Sequence, residues 1–227
     1  MVKEERFKVV VHSGEGKALG EVSVSVARPQ QYERVVILAH GAGKNMDSPL
    51  LISMQNHLAD KSIAAVRFNF LYTEKGKRAP DRRPQLEACW RSVADWTRDK
   101  LAPQQLFLSG KSMGGRMASY LVAEGYPCEG IFFLGYPLHP PGKTDQLRKD
   151  HLPSIKVPML FIAGTRDSLS KLELLEPIIQ ELGPKATLHL IEGGDHSFRV
   201  PKRSGRTSDE IQEEIAHVVT RWLGSIA

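Results

Sequence analysis

The sequence predicts an α/β protein built on one mostly parallel sheet with helices on both faces. From Arg34 onward, apolar β-branched runs alternate with segments of helical periodicity, the pattern of repeated strand–helix–strand units. The runs are continuously apolar, as in strands buried on both faces of a parallel sheet. Each chemically suggestive cluster follows directly on such a run, and open α/β sheets place ligands there, beyond the carboxyl ends of the strands.

The elements follow in order. Arg6 to His12 and Leu19 to Ala27 alternate polar and apolar around a turn at Gly14 and Gly16, which predicts an antiparallel hairpin at the sheet edge. Arg34 to Ala39 is a buried strand ending at His40-Gly41-Ala42-Gly43. Asp47 or Ser48 caps a helix with Pro49 in its first turn, and Leu50, Leu51, Met54 and Leu58 form its apolar stripe. A strand spans Ile63 to Phe70, and Leu71 to Pro84 reads as a polar loop carrying five basic residues. Pro84 opens a long helix whose Leu86, Trp90, Val93, Ala94, Trp96 and Leu101 recur at helical spacing. The strand Gln105 to Ser109, a helix after Ser112 stopping near Gly125, and the strand Gly130 to Gly135 come next. A strand at Val157 to Ala163, a helix at Lys171 to Leu182, a strand at Ala186 to Ile191 and a helix from about Thr207 complete the chain. The expectation is one domain over residues 1–227.

Composition narrows the function classes. A hydrophobic fraction of 41% with 25% charged residues is that of a soluble globular protein, and no apolar run approaches the roughly 18 residues a membrane span needs. The charged first residues have no apolar leader pattern, so a cytoplasmic protein is expected. Cys89 and Cys128 have no metal-ligand spacing and are too few for a disulfide framework, so both read as buried or half-buried thiols. Five of the eight histidines, His12, His57, His151, His189 and His217, are scattered without metal spacing. No metal or organic cofactor is implied.

The centre of the chain is Gly110-Lys111-Ser112-Met113-Gly114, a Gly-x-Ser-x-Gly set between an apolar strand and a helical pattern. This is the strand–turn–helix context of a nucleophile elbow, where the glycines let strand and helix approach closely and leave the serine hydroxyl exposed. A serine hydroxyl needs a base within hydrogen-bond reach and a third group to orient that base. His196 follows the last strand and Asp167 the strand before it, giving the order Ser112, Asp167, His196. Asp195 and Glu192 are rivals for the acid, but Asp195 adjoins the histidine, and an immediate neighbour seldom reaches that ring in the needed geometry. An oxyanion requires two backbone N–H donors, expected from Met113 and from Ala42 in the His40–Gly43 turn, with His40 supporting that loop.

Tyr136 and His139, in Tyr-Pro-Leu-His-Pro-Pro after a core strand, are candidate substrate contacts, as is Arg78. The net charge of +5 gathers in two loops, Lys75 to Arg83 and Arg199 to Arg206, which read either as solvated surface or as a positive rim for an anionic substrate. No nucleic-acid-binding signature or interleaved aromatics accompany that charge, so a nucleic-acid partner is not expected.

With these residues placed, the chain from Arg34 to Leu223 resembles the α/β-hydrolase superfamily, and within it the compact dienelactone-hydrolase-like group. It is most similar to the testis-expressed and KANL-type hydrolase-like proteins, whose His-Gly-Ala-Gly, Gly-(Arg/Lys)-Ser-Met-Gly-(Gly/Ser)-Arg and Tyr-Pro-Leu-His-x-Pro stand here as His40–Gly43, Gly110–Arg116 and Tyr136–Pro141. The nucleophile position holds serine where dienelactone hydrolase proper has cysteine, so that activity is not carried over. The resemblance implies a fold without a large lid, since only Tyr136 to Lys156 occupies the place where larger relatives insert one. It implies a serine hydrolase cleaving a small-molecule ester or thioester. The alternative it leaves is a catalytically silent hydrolase-fold scaffold, since relatives occur as subunits of chromatin-modifying assemblies.

Overall fold

The computed structural model describes residues 4–226. Its eight strands are β1 (Glu4–His12), β2 (Ala18–Ala27), β3 (Arg34–Ala39), β4 (Ala64–Phe68), β5 (Gln105–Lys111), β6 (Gly130–Leu134), β7 (Met159–Gly164) and β8 (Ala186–Ile191). They form one sheet in the order β1-β2-β4-β3-β5-β6-β7-β8. β1 and β2 make the expected antiparallel hairpin at one edge, and β2 joins β4 antiparallel over Val24–Ala27. Every pairing from β4 to β8 is parallel.

The helices are α1 (Pro49–Asp60), α2 (Leu71–Glu74), α3 (Arg83–Leu101), α4 (Met113–Ala123), α5 (Leu172–Leu182) and α6 (Ser208–Gly224). Side-chain alternation along the strands divides the interior into two cores. Val36, Leu38, Phe107 and Phe132 face α1 and α6, while Val35, Ile37, Leu108 and Phe133 face α3, α4 and α5. Both sets are buried, which is why the strands read as continuous apolar runs.

The structure corrects one element. Leu71 to Pro84 is not wholly loop, because its first residues form α2, with Leu71 and Tyr72 buried. Tyr72 stacks on Phe70, and Glu74 Oε1 accepts from the Ser23 N–H and from Asn69 Nδ2, tying the short helix to β2. Tertiary packing outweighs the loop-like composition that follows it.

A buried charge positions the loop after β3. Arg67, in β4, is 1% exposed and donates to Gln55 Oε1 of α1, to Met46 O, to Asp47 Oδ1 and to Ser25 Oγ. These four acceptors, together with the Glu4 carboxylate 3.4 Å from Nη2, offset the cost of burying a guanidinium. The network also fixes residues 46 and 47, between the His40–Gly43 turn and α1. Cys89 and Cys128 are both free and buried, and burial pushes both thiols up to about 12.

Candidate active site

Ser112 occupies the junction of β5 and α4 with φ 52° and ψ −116°. A positive φ on a residue with a Cβ costs about 1–3 kcal/mol and persists only where its surroundings fix it. Here the Ser112 N–H donates to Leu134 O at 3.2 Å, and Trp90 Nε1 of α3 donates to Gly114 O at 3.0 Å. A Cβ at Gly110 would lie 2.5 Å from Gly115 N, and one at Gly114 would lie 2.6 Å from Ala39 O. Only glycine fits either position, so the first and last letters of the motif are set by how closely strand and helix approach.

The loops after β7 and β8 bring Asp167 and His196 to this serine. They interlock at their base, where the Arg166 N–H donates to Gly194 O at 2.8 Å. A Cβ on Gly164 would collide with the Gly194 carbonyl group and lie 2.8 Å from Asp195 O. Asp167 is fully buried as a side chain, and its Oδ1 accepts from the Leu169 N–H at 2.8 Å. Its Oδ2 accepts from His196 Nδ1 at 2.7 Å, so Nδ1 carries the ring proton and the lone pair sits on Nε2. The Ser112 hydroxyl donates to that Nε2 at 2.8 Å. Serine, histidine and aspartate thus form one hydrogen-bonded line across three loops.

The rival acids are engaged elsewhere. Asp195 Oδ1 accepts from the Ser197 and Arg199 N–H groups and holds its own turn, while Glu192 lies beside Thr165. His40 is buried, donates through Nδ1 to Gly41 O at 2.9 Å, and accepts at Nε2 from the Phe70 N–H. Burial lowers its pKa to about 4, leaving a neutral brace under the turn that carries Ala42.

Ser112 stands between two cavities, and Ala42 and Leu169 also line both. The larger, about 840 Å³, contains His196, Ser197, Lys44, Lys77 and Arg199. The smaller, about 350 Å³, contains Met113 and an apolar wall of Leu86, Met117 and Pro137. His139 lines the smaller cavity, as its position after β6 suggested. Tyr136 does not line either cavity: it is buried, and its hydroxyl donates to Arg148 O at 2.7 Å, which turns the ring into the core. Arg78 is exposed and also lines neither, with its carbonyl packed toward Gly43.

The sequence gives Lys111 no role. Although the residue is partly exposed, its Nζ is buried without a hydrogen-bond partner, 5.4 Å from the centre of the Phe198 ring. Burial lowers its pKa from 10.5 to about 8 against the raising influence of Asp167 and Asp195. Its place beside Ser112 is the only signal the sequence offers. Arg116 and Arg148 also line the smaller cavity, and only the fold brings them together, because they belong to α4 and to the segment between β6 and β7.

A mostly parallel sheet covered on both faces, with a strained serine at the end of a central strand and a His–Asp pair on the loops after the last two strands, is the arrangement of the hydrolase class of α/β folds. Residues 32–224 match the family model described as an alpha/beta hydrolase domain, and the chain belongs to that family. Solved structures agree on the fold. An alpha-beta serine hydrolase homologue from Coxiella burnetii superposes with a TM-score of 0.75 at 16% identity, over 98% of each chain. A dienelactone hydrolase from Anabaena variabilis gives 0.75 at 20%, again over 98% of each chain. A lidless a/b serine hydrolase from Xanthomonas campestris gives 0.71 at 20%, over 96% of this chain and 95% of its own. As in that protein, no lid domain is inserted among the described residues, where a short helical turn at Leu152–Ser154 is the only regular element between β6 and β7. Among the described residues no helix is long and apolar enough to cross a membrane.

Proposed function

We propose that the chain is a serine hydrolase that cleaves a carboxylic ester or thioester through an acyl-enzyme. The observation that carries this reading is the unbroken line Ser112 Oγ, His196 Nε2 and Nδ1, Asp167 Oδ2, with contacts of 2.8 and 2.7 Å and the serine in a strained elbow. As His196 Nε2 takes the hydroxyl proton, Ser112 Oγ bonds to the substrate carbonyl carbon and the carbonyl oxygen becomes an oxyanion. The Met113 and Ala42 N–H groups hold that oxyanion, with the N-terminus of α4 adding its partial positive charge. Collapse breaks the bond to the leaving oxygen or sulfur, which takes the proton from His196. Water then gives its proton to the same nitrogen, attacks the acyl carbon and releases the acid with Ser112 restored. Asp167 keeps the ring in the required tautomer and stabilises the imidazolium.

The motifs at His40–Gly43, Gly110–Arg116 and Tyr136–Pro141 support placing the chain nearest the testis-expressed and KANL-type proteins within the family. The reading is tested by reacting wild type and Ser112→Ala with a fluorophosphonate probe and measuring intact mass. One adduct on wild type and none on the variant is expected. A folded wild type that stays unlabelled refutes it in favour of a silent scaffold.

A further inference from the structure

The smaller cavity carries more positive charge than its protein neighbours answer. Arg116 lies one turn along α4 from Ser112; its Nε is buried without a partner, and among the described residues no carboxylate pairs with it. Arg148 has one side-chain hydrogen bond among them, a long one of 3.4 Å from Nη1 to Pro137 O. The two guanidiniums sense each other: the pKa of Arg148 falls through burial first and the Arg116 charge second. Arg83, the third arginine of the wall, is committed to Glu87 and Glu124 and lies 3.7 Å over the Tyr120 ring. Asp81 is the acidic lining residue, and its Oδ2 is also buried without a partner. Two uncommitted arginines against one aspartate leave a single positive charge beside an apolar wall.

The position of the base decides which part of a substrate meets that charge. His196 lines only the larger cavity, and the leaving group must sit next to its Nε2 to receive the proton. The acyl chain then extends the other way, past Met113 and toward Arg116. Arg116 Nε is buried with no acceptor, and a planar carboxylate matches the fork of donors that a guanidinium presents. We propose that the smaller cavity is an acyl subsite in which Arg116 and Arg148 bind a terminal carboxylate, so that the preferred substrates are half-esters or half-thioesters of short dicarboxylic acids. One positive charge suits a monoanionic carboxylate better than a phosphate dianion. The inference rests on the serine-hydrolase reading above and adds the class of acyl group.

The test compares 4-nitrophenyl hydrogen glutarate with 4-nitrophenyl valerate, esters of equal chain length that differ in a terminal carboxylate. Wild type is expected to prefer the half-ester on the order of tenfold in kcat/KM. In Arg116→Gln and in Arg148→Gln the ratio of the two esters, taken within each variant, falls toward one. Independently of any variant, free glutarate slows fluorophosphonate labelling of wild type while valerate at equal concentration does so less. A labelled wild type with no preference for the half-ester, or without protection by glutarate, overturns the subsite and leaves the hydrolase reading standing. A folded wild type that is never labelled overturns both.

Discussion

Replacing Lys111 by methionine removes a buried ammonium while keeping an unbranched side chain of similar length. In the folded protein the lysine titrates at about 8 instead of 10.5, because burial penalises its charged form. That displacement corresponds to about 3 kcal/mol. Below pH 8 folded and unfolded chains both hold the proton, and the native state bears the whole penalty. Between pH 8 and 10.5 the unfolded chain binds more protons than the native one, so this group makes stability rise with pH; above 10.5 the penalty is gone. Lys111→Met is therefore more stable than wild type at neutral pH by about 3 kcal/mol, and the advantage shrinks to nothing as pH rises through that window. Urea denaturation of both proteins at neutral pH, pH 8 and pH 10.5 reads the difference directly. A difference that stays constant with pH, or a variant less stable than wild type at neutral pH, refutes the reasoning.

Asp167→Asn preserves the shape of the site but donates where the carboxylate accepts, favouring the wrong imidazole tautomer. The expected loss in kcat is on the order of 10³–10⁴-fold with fold and thermal transition retained, measured by steady-state ester hydrolysis and circular dichroism. Gly164→Ala forces a methyl group against the Gly194 carbonyl, and is expected to cost about 2–3 kcal/mol in urea denaturation. Because the displaced backbone leads into His196, fluorophosphonate labelling slows as well; a variant matching wild type on both counts would contradict the tight packing of these loops. Thr207→Ala removes the hydroxyl that accepts the Glu210 N–H in the capping box of α6. About 1 kcal/mol of stability is lost, with labelling at Ser112 unchanged.

The sheet was legible because its signal is redundant. β3, β5, β6 and β7 are buried on both faces, so each carries an unbroken apolar run (Val35–Ala39, Leu106–Leu108, Ile131–Leu134 and Met159–Ala163), and Gly110 and Gly114 could be read as close-approach glycines from their place at the strand–helix break. The line from Ser112 to Asp167 was legible because residue types and chain order constrained each other. Other features required coordinates. Leu71 and Tyr72 are two apolar residues ahead of a basic, glycine-containing stretch, and only their packing on Phe70 and β2 makes them helical. Tyr136 sits in the segment that borders the cavity, yet its hydroxyl finds Arg148 O inside the core, which no local pattern encodes. Arg116 and Arg148 are unremarkable singly; their proximity is a product of topology.

On the proposed mechanism, confining His196 to the larger cavity makes the alcohol and the water that replaces it share one doorway. Both must stand at the same nitrogen, so departure of the first product gates the second half-reaction. An alcohol that lingers or returns competes with water for the acyl-enzyme and regenerates ester. The balance between hydrolysis and acyl transfer is then set by how fast the larger cavity empties, while the acid product is retained or released by the opposite wall.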